Sequence, residues 1–198
     1  MKPISLSEFQ TKIGMRGISF FIAIFITLQL SAQNSSYLID SAMNLADGQS
    51  LIFKNIQPGD TVYLNAGTRD KLLIRNFKGS AEKPIIFINK DAVVNFNTSS
   101  YYGVSILNCR YIRFTGTDDK NTQYGIRIER VANGAGMGIG GMSSDFEIDH
   151  VSISNCSTEG IIAKTDPDCS FMATRERFTQ FNTSIHDNYI ADVNDEGM

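Results

Sequence analysis

The sequence predicts an all-β chain wound as a parallel solenoid. Three observations lead there. Apolar residues fall in short β-branched runs separated by turns, those runs change phase at internal bends, and glycine-led segments recur along the chain. A chain of 198 residues with 42% hydrophobic content is long enough for one such domain.

The first segment stands outside the fold. In "MRGISFFIAIFITLQLSAQ", Arg16 precedes an apolar run that gives way to Ser31, Ala32 and Gln33. A charged start, an apolar middle and a small-residue exit predict a secretory signal peptide over residues 1–32, cleaved near Ala32, with Met15 as an alternative start. The run is shorter than the roughly 20 apolar residues a membrane span needs, so no stable span is expected after cleavage. No cysteine sits at the exit, so a lipid anchor is not expected. The mature protein is expected outside the cytoplasm: secreted, periplasmic or on the cell surface.

Residues 33–60 read as an N-terminal capping segment, and residues 61–198 as strands. "QPGDTVYLNAG" places a Pro-Gly-Asp turn before Val62 and Leu64, and "KLLIRNF" follows as a strand. "PIIFINKDAVVNF" is an Ile/Val run broken at Asn89, Lys90 and Asp91. "YGVSILNCRYIRFTG", "YGIRIERV", "FEIDHVSISN", "GIIAKT" and "TSIHDNYI" continue the pattern, and only "MATRERFTQF" has a weak helical character.

The bends come from phase. Phe146 and Ile148 share one strand face, whereas Val151 and Ile153 are one position out of step with them. Strict alternation would send two of the four outward, so a bend at Asp149 and His150 is expected to turn both pairs into one core. Val104 and Ile106, followed by Ile112 and Phe114, are likewise two short apolar runs separated by a break at residues 107–110. Gly103 and Gly125, and likewise Gly138 and Gly160, stand 22 positions apart; Gly160 and Gly197 stand 37 apart. Units of that size with insertions suit parallel coils stacked about 4.8 Å apart, with Asn108 and Asn155 hydrogen-bonding along the turns. A β-sandwich would call for more hairpin turns and two-faced strands.

Composition narrows the function. A net charge of −3 offers no polycationic surface, which argues against nucleic acid. Thirteen Phe and seven Tyr supply core mass and sugar-stacking surfaces in the absence of Trp. Three cysteines, Cys109, Cys156 and Cys169, are too few for a disulfide framework and read as small residues at turns. A Cys156–Cys169 bond is the pairing the sequence leaves open.

The stretch "QPGDTVYLNAGTRDKLLIRNFKGSAEKPIIFIN" resembles the opening coils of secreted right-handed parallel β-helix proteins of the pectate-lyase-like type, including chondroitinase-B-like and alginate-lyase-like proteins. The signal ending "SAQ" is similar to those of Bacteroidetes secreted proteins. The resemblance covers residues 51–198 and implies a right-handed parallel β-helix acting on, or binding, an acidic polysaccharide, as a monomer. The architecture also serves adhesins, epimerases and glycoside hydrolases, so it does not by itself assign an activity.

In lyases of that type a Lys or Arg takes the proton α to the uronate carboxyl, and carboxylates hold Ca²⁺ that acidifies it. In "AKTDPDC", residues 163–169, the resemblance implies Lys164 as the base and Asp166 and Asp168 as calcium ligands. Arg175 or Arg177 would then clamp the substrate carboxylate. The same stretch also reads as an ordinary exposed loop stiffened by Pro167. The "NTD", "GHG" and "RIK" segments of polygalacturonase-like enzymes do not occur.

Other polar groupings are weaker. His150 and His186 each neighbour an aspartate, Asp149 and Asp187, and suit either a general base or metal ligand or a plain exposed bend. Gly136, Gly138 and Gly141 satisfy G-x-G-x-x-G, but a strand rather than a helix follows, which rejects dinucleotide binding. Asp118 and Asp119 read as a polar turn. Gly197 looks like the start of a further coil, so the chain is expected to be a fragment: a truncated sequence, a partial gene or the N-terminal part of a longer protein. A non-catalytic surface protein, with binding loops after Ile128 and Cys169, is the second functional reading, and an inactive fragment the third.

Overall fold

Short β-branched runs bounded by Asn, Asp and Gly give strands that end at fixed corners. The computed structural model describes residues 36–165 and 179–198. In chain order its strands are β1 (Ser36–Ile39), β2 (Leu45–Asp47), β3 (Thr61–Arg69), β4 (Leu72–Arg75), β5 (Ile85–Thr98), β6 (Tyr102–Leu107) and β7 (Arg110–Thr115). They continue as β8 (Ile126–Val131), β9 (Ala135–Gly140), β10 (Ser144–Asp149), β11 (Val151–Cys156), β12 (Ile161–Ala163), β13 (Thr183–His186) and β14 (Tyr189–Val193). Every pairing between these strands is parallel. No helix occurs among the described residues, and none is long and apolar enough to cross a membrane. The expected helical stretch and the signal peptide lie outside the described residues, except that residues 179–181 are irregular.

The strands form a nine-stranded and a five-stranded sheet. β3 and β5 are long enough to turn a corner within the larger sheet, at Gly67 (φ 109°) and Asp91 (φ 61°), so that this sheet presents two faces. On the first, Tyr37, Val62, Phe87, Phe114, Ile148 and Ile185 stand in one register column. On the second, Phe96, Ile128, Ile153 and Ile190 do the same. The smaller sheet aligns Ala46, Ile74, Ile106 and Ile139.

All three columns feed one apolar cluster. Fully burying each such side chain contributes about 1.5–3 kcal/mol. Phe53, from the segment between β2 and β3, meets Phe77 edge-on at 5.7 Å, and Phe77 meets Phe87 at 5.0 Å. These rings close the N-terminal side of the core.

The corners follow from side-chain chemistry. Among the described residues ten non-glycine residues have positive φ, and all but Tyr111 and His150 are Asn or Asp. Short amide and carboxylate side chains tolerate that region because they hydrogen-bond locally. His150 (φ 55°) alone separates β10 from β11, which is the bend the phase change calls for. Asn188 fastens it: its Oδ1 accepts from Val151 N at 2.9 Å, and its Nδ2 donates to Ile148 O at 2.9 Å. Asn108 Oδ1 accepts from Met142 N, and Asn155 Nδ2 donates to Glu129 O, so both asparagines do bond along their turns.

The 37-residue offset holds in space. Ile148 pairs with Ile185 and Ile153 with Ile190, while Gly160 N donates to Glu196 O. The 22-residue glycine spacing does not describe the stacking. Gly103 lies over Gly136, Gly136 over Gly160 and Gly160 over Gly197, each leaving no room for a Cβ beneath the next carbonyl. Gly125 instead opens β8 on another face, its amide bonded to Gly116 O, because residues 117–124 form an inserted loop.

Candidate functional site

On the first face the residues between the apolar positions are polar, and neighbouring strands bring them together. Arg113 pairs in register with Glu147, and Asp149 with both Thr115 and His186. Arg113 Nε lies 2.8 Å from Asp149 Oδ2 and 3.4 Å from Glu147 Oε1. Its Nη2 donates to Asp149 Oδ1 at 3.1 Å. Thr115 Oγ1 donates to the same oxygen, which also lies 2.6 Å from His150 Nδ1. Asp149 is wholly buried. Burial raises its pKa, but the bonds from Arg113, Thr115 and His150 outweigh it and hold the carboxyl below its ordinary value.

His186 completes the row. Its Nδ1 lies 2.8 Å from Asp187 Oδ2, and its Nε2 lies 3.1 Å from Glu147 Oε1. Both carboxylates raise its pKa, Asp187 more than Glu147. Glu147, Asp149 and His186 therefore present ligand atoms within 4.8 Å of one another. A cation there would compete with Arg113, whose guanidinium occupies both oxygens of Asp149. The donor set fits an internal charge network better than a metal centre.

Beside this row runs an open groove of about 230 Å³, lined among others by Pro84, Tyr111, Arg113, Phe146, Glu147 and Asn182. Arg110 supports its wall. The guanidinium bonds Asp145 at 2.8 Å and stacks on Tyr111 at 5.5 Å and on Phe181 at 5.2 Å. Asp145 also accepts from Asn182 and Ser144; these bonds and Arg110 hold its pKa low against the raising effect of burial.

Tyr111 is the anomaly. It has φ 52°, as do its counterparts on the next strands, Asp145 (φ 54°) and Asn182 (φ 50°). A bulky residue in the left-handed region costs about 1 kcal/mol more than Asn or Asp would.

The residues singled out from the sequence divide differently. Asp149, His150, His186 and Asp187 meet as described. Lys164 follows β12, its amide bonded to Ile139 O, in the smaller sheet and away from the lining of the groove. Asp166, Asp168, Arg175, Arg177 and Cys169 lie outside the described residues. Cys156 is a buried free thiol, and Cys169, the partner the sequence left open for it, lies outside the described residues. Arg113, Glu147 and Tyr111 were not legible as site residues. Aligning "RYIRFT" with "DFEIDH" on their apolar positions would have placed Arg113 beside Glu147. No protein-family model, curated protein or solved structure matches this chain.

Proposed function

We propose that the protein is a secreted right-handed parallel β-helix that binds an acidic polysaccharide along its flank. From β3 on, each turn of chain visits the first face, the second face and the smaller sheet in the same order, and every pairing is parallel. Parallel crossovers are right-handed in about 98% of cases, which supports the hand.

The single observation that carries the binding reading is Tyr111. It stands in a left-handed corner where neighbouring strands use Asp and Asn, with Arg110 against its ring and the groove beside it. Strain of that kind persists where a side chain is needed for more than folding. A tyrosine ring beside Arg, Glu and Asn offers a sugar an apolar face to stack on and planar groups to hydrogen-bond its hydroxyls and carboxylate.

Affinity electrophoresis tests the reading, with polygalacturonate, alginate, chondroitin sulfate or neutral dextran cast in the gel. Retardation by a uronate polymer, weakened in Tyr111→Asn, is expected; unretarded migration in every gel contradicts it. The lyase form of the reading places the base at Lys164 and so puts the scissile bond over the smaller sheet, apart from the stacking groove at Tyr111. It predicts an ultraviolet-absorbing double bond in the product, formed by wild type and not by Lys164→Ala, and lost with EDTA if Ca²⁺ is the cofactor.

A further inference from the structure

On the second face the outward column after the corner runs Thr68, Asn95, Arg127, Ser152 and Tyr189. Ser152 is small, so the Tyr189 ring reaches back over it to Tyr124, at a centroid distance of 6.1 Å and an interplanar angle of 39°. The two rings make a ledge wider than a single strand, and Tyr189 is 51% exposed. Exposed apolar residues scattered singly are ordinary; a ring from the loop before β8 and a ring from β14, meeting across the intervening β11, are not.

The polar groups around the ledge are held in place. Gln123 Nε2 donates to the Tyr124 hydroxyl at 3.0 Å. Arg127 Nε donates to Tyr124 O at 3.4 Å, which anchors one edge of an exposed guanidinium. Arg127 is the one charged residue of its outward column, and no carboxylate among the described residues pairs with it. Asn95, its register partner, has a buried Oδ1 without a hydrogen-bond donor.

We infer that Tyr124, Tyr189 and Arg127 form a second glycan subsite, separate from the groove at Tyr111. A sugar ring stacks on the tyrosine pair and its carboxylate meets the Arg127 guanidinium. The occupant is a uronate-bearing polysaccharide: the ledge supplies the stacking face and Arg127 the only unpaired charge of the column.

The test uses the full chain carrying Tyr111→Asn, so that binding at the groove and binding here are read apart. Polygalacturonate and its neutral methyl ester serve as probes, with circular dichroism as the check on folding. Residual binding to polygalacturonate is expected. It should fall at least fivefold with Tyr189→Ala and with Arg127→Gln, while Arg127→Gln leaves binding to the methyl ester unchanged. Loss of all polygalacturonate binding in Tyr111→Asn alone would overturn the proposal. So would folded Tyr189→Ala and Arg127→Gln variants that bind as their parent does.

Discussion

Asp149 and His186 share one register position on neighbouring strands, yet the first side chain is wholly buried and the second 43% exposed. The corner folds Asp149 under Arg113, Thr115 and His150, whereas His186 faces outward between Asp187 and Glu147.

The pairing of His186 gives the fold a pH dependence. Asp187 and Glu147 raise its pKa in the folded chain, and Asp149 adds to this through space while Arg113 stands across the row. The stabilisation is present in full below the unfolded value of about 6.5 and is lost as pH rises through the raised folded value. His186→Gln should therefore lower Tm more at pH 5.5 than at pH 8.5. An NMR titration of the imidazole should place its midpoint above the free-histidine value.

Asp149→Ala should destabilise the chain by about 3 kcal/mol, the lower end for breaking a buried pair, because Arg113 keeps some access to water. Three donors, on Arg113, Thr115 and His150, lose their acceptor together. Urea unfolding checks this, and a change under about 1 kcal/mol would show that the network holds little of the fold.

Much of this architecture is legible in the sequence because it is local. The phase change around Asp149 and His150 states the bend, and the match of residues 148–160 to 185–197 states the stacking. The glycine spacing misleads because the chain length between stacked strands changes wherever a loop is inserted, as at residues 117–124. The site is harder to read for a different reason. Arg113, Glu147 and His186 come from three strands, and their meeting depends on which residues stack, which no local pattern encodes. Tyr111 is hidden because a tyrosine carries no sequence signal of positive φ.

Two glycines of β9 should respond in opposite ways. A Cβ on Gly136 would lie 2.4 Å from Ile153 Cγ2 and 2.6 Å from Gly160 O, so Gly136→Ala should cost about 1–3 kcal/mol. Among the described residues nothing lies within 4 Å of a Cβ on Gly138, so Gly138→Ala should be neutral or add up to about 1 kcal/mol. Paired thermal melts decide between them.

Cys109 and Cys156 should be inert in the folded chain. Burial pushes their thiols up to about 12 and about 11, leaving almost no thiolate at neutral pH. Iodoacetamide at pH 8 should label neither until denaturant is added, with mass spectrometry locating the label.

The most direct measurement is the affinity of Tyr111→Asn for a uronate polysaccharide, taken together with its Tm. Asparagine suits the left-handed corner, so Tm should rise by about 2–4 °C, the shift expected for about 1 kcal/mol in a chain of this size. Removing the stacking ring should weaken binding by about tenfold, the equivalent of about 1.4 kcal/mol. A gain in stability with a loss of affinity is the result the account predicts. A folded Tyr111→Asn variant that binds as tightly as wild type, or a wild type that binds no such polymer, would contradict it.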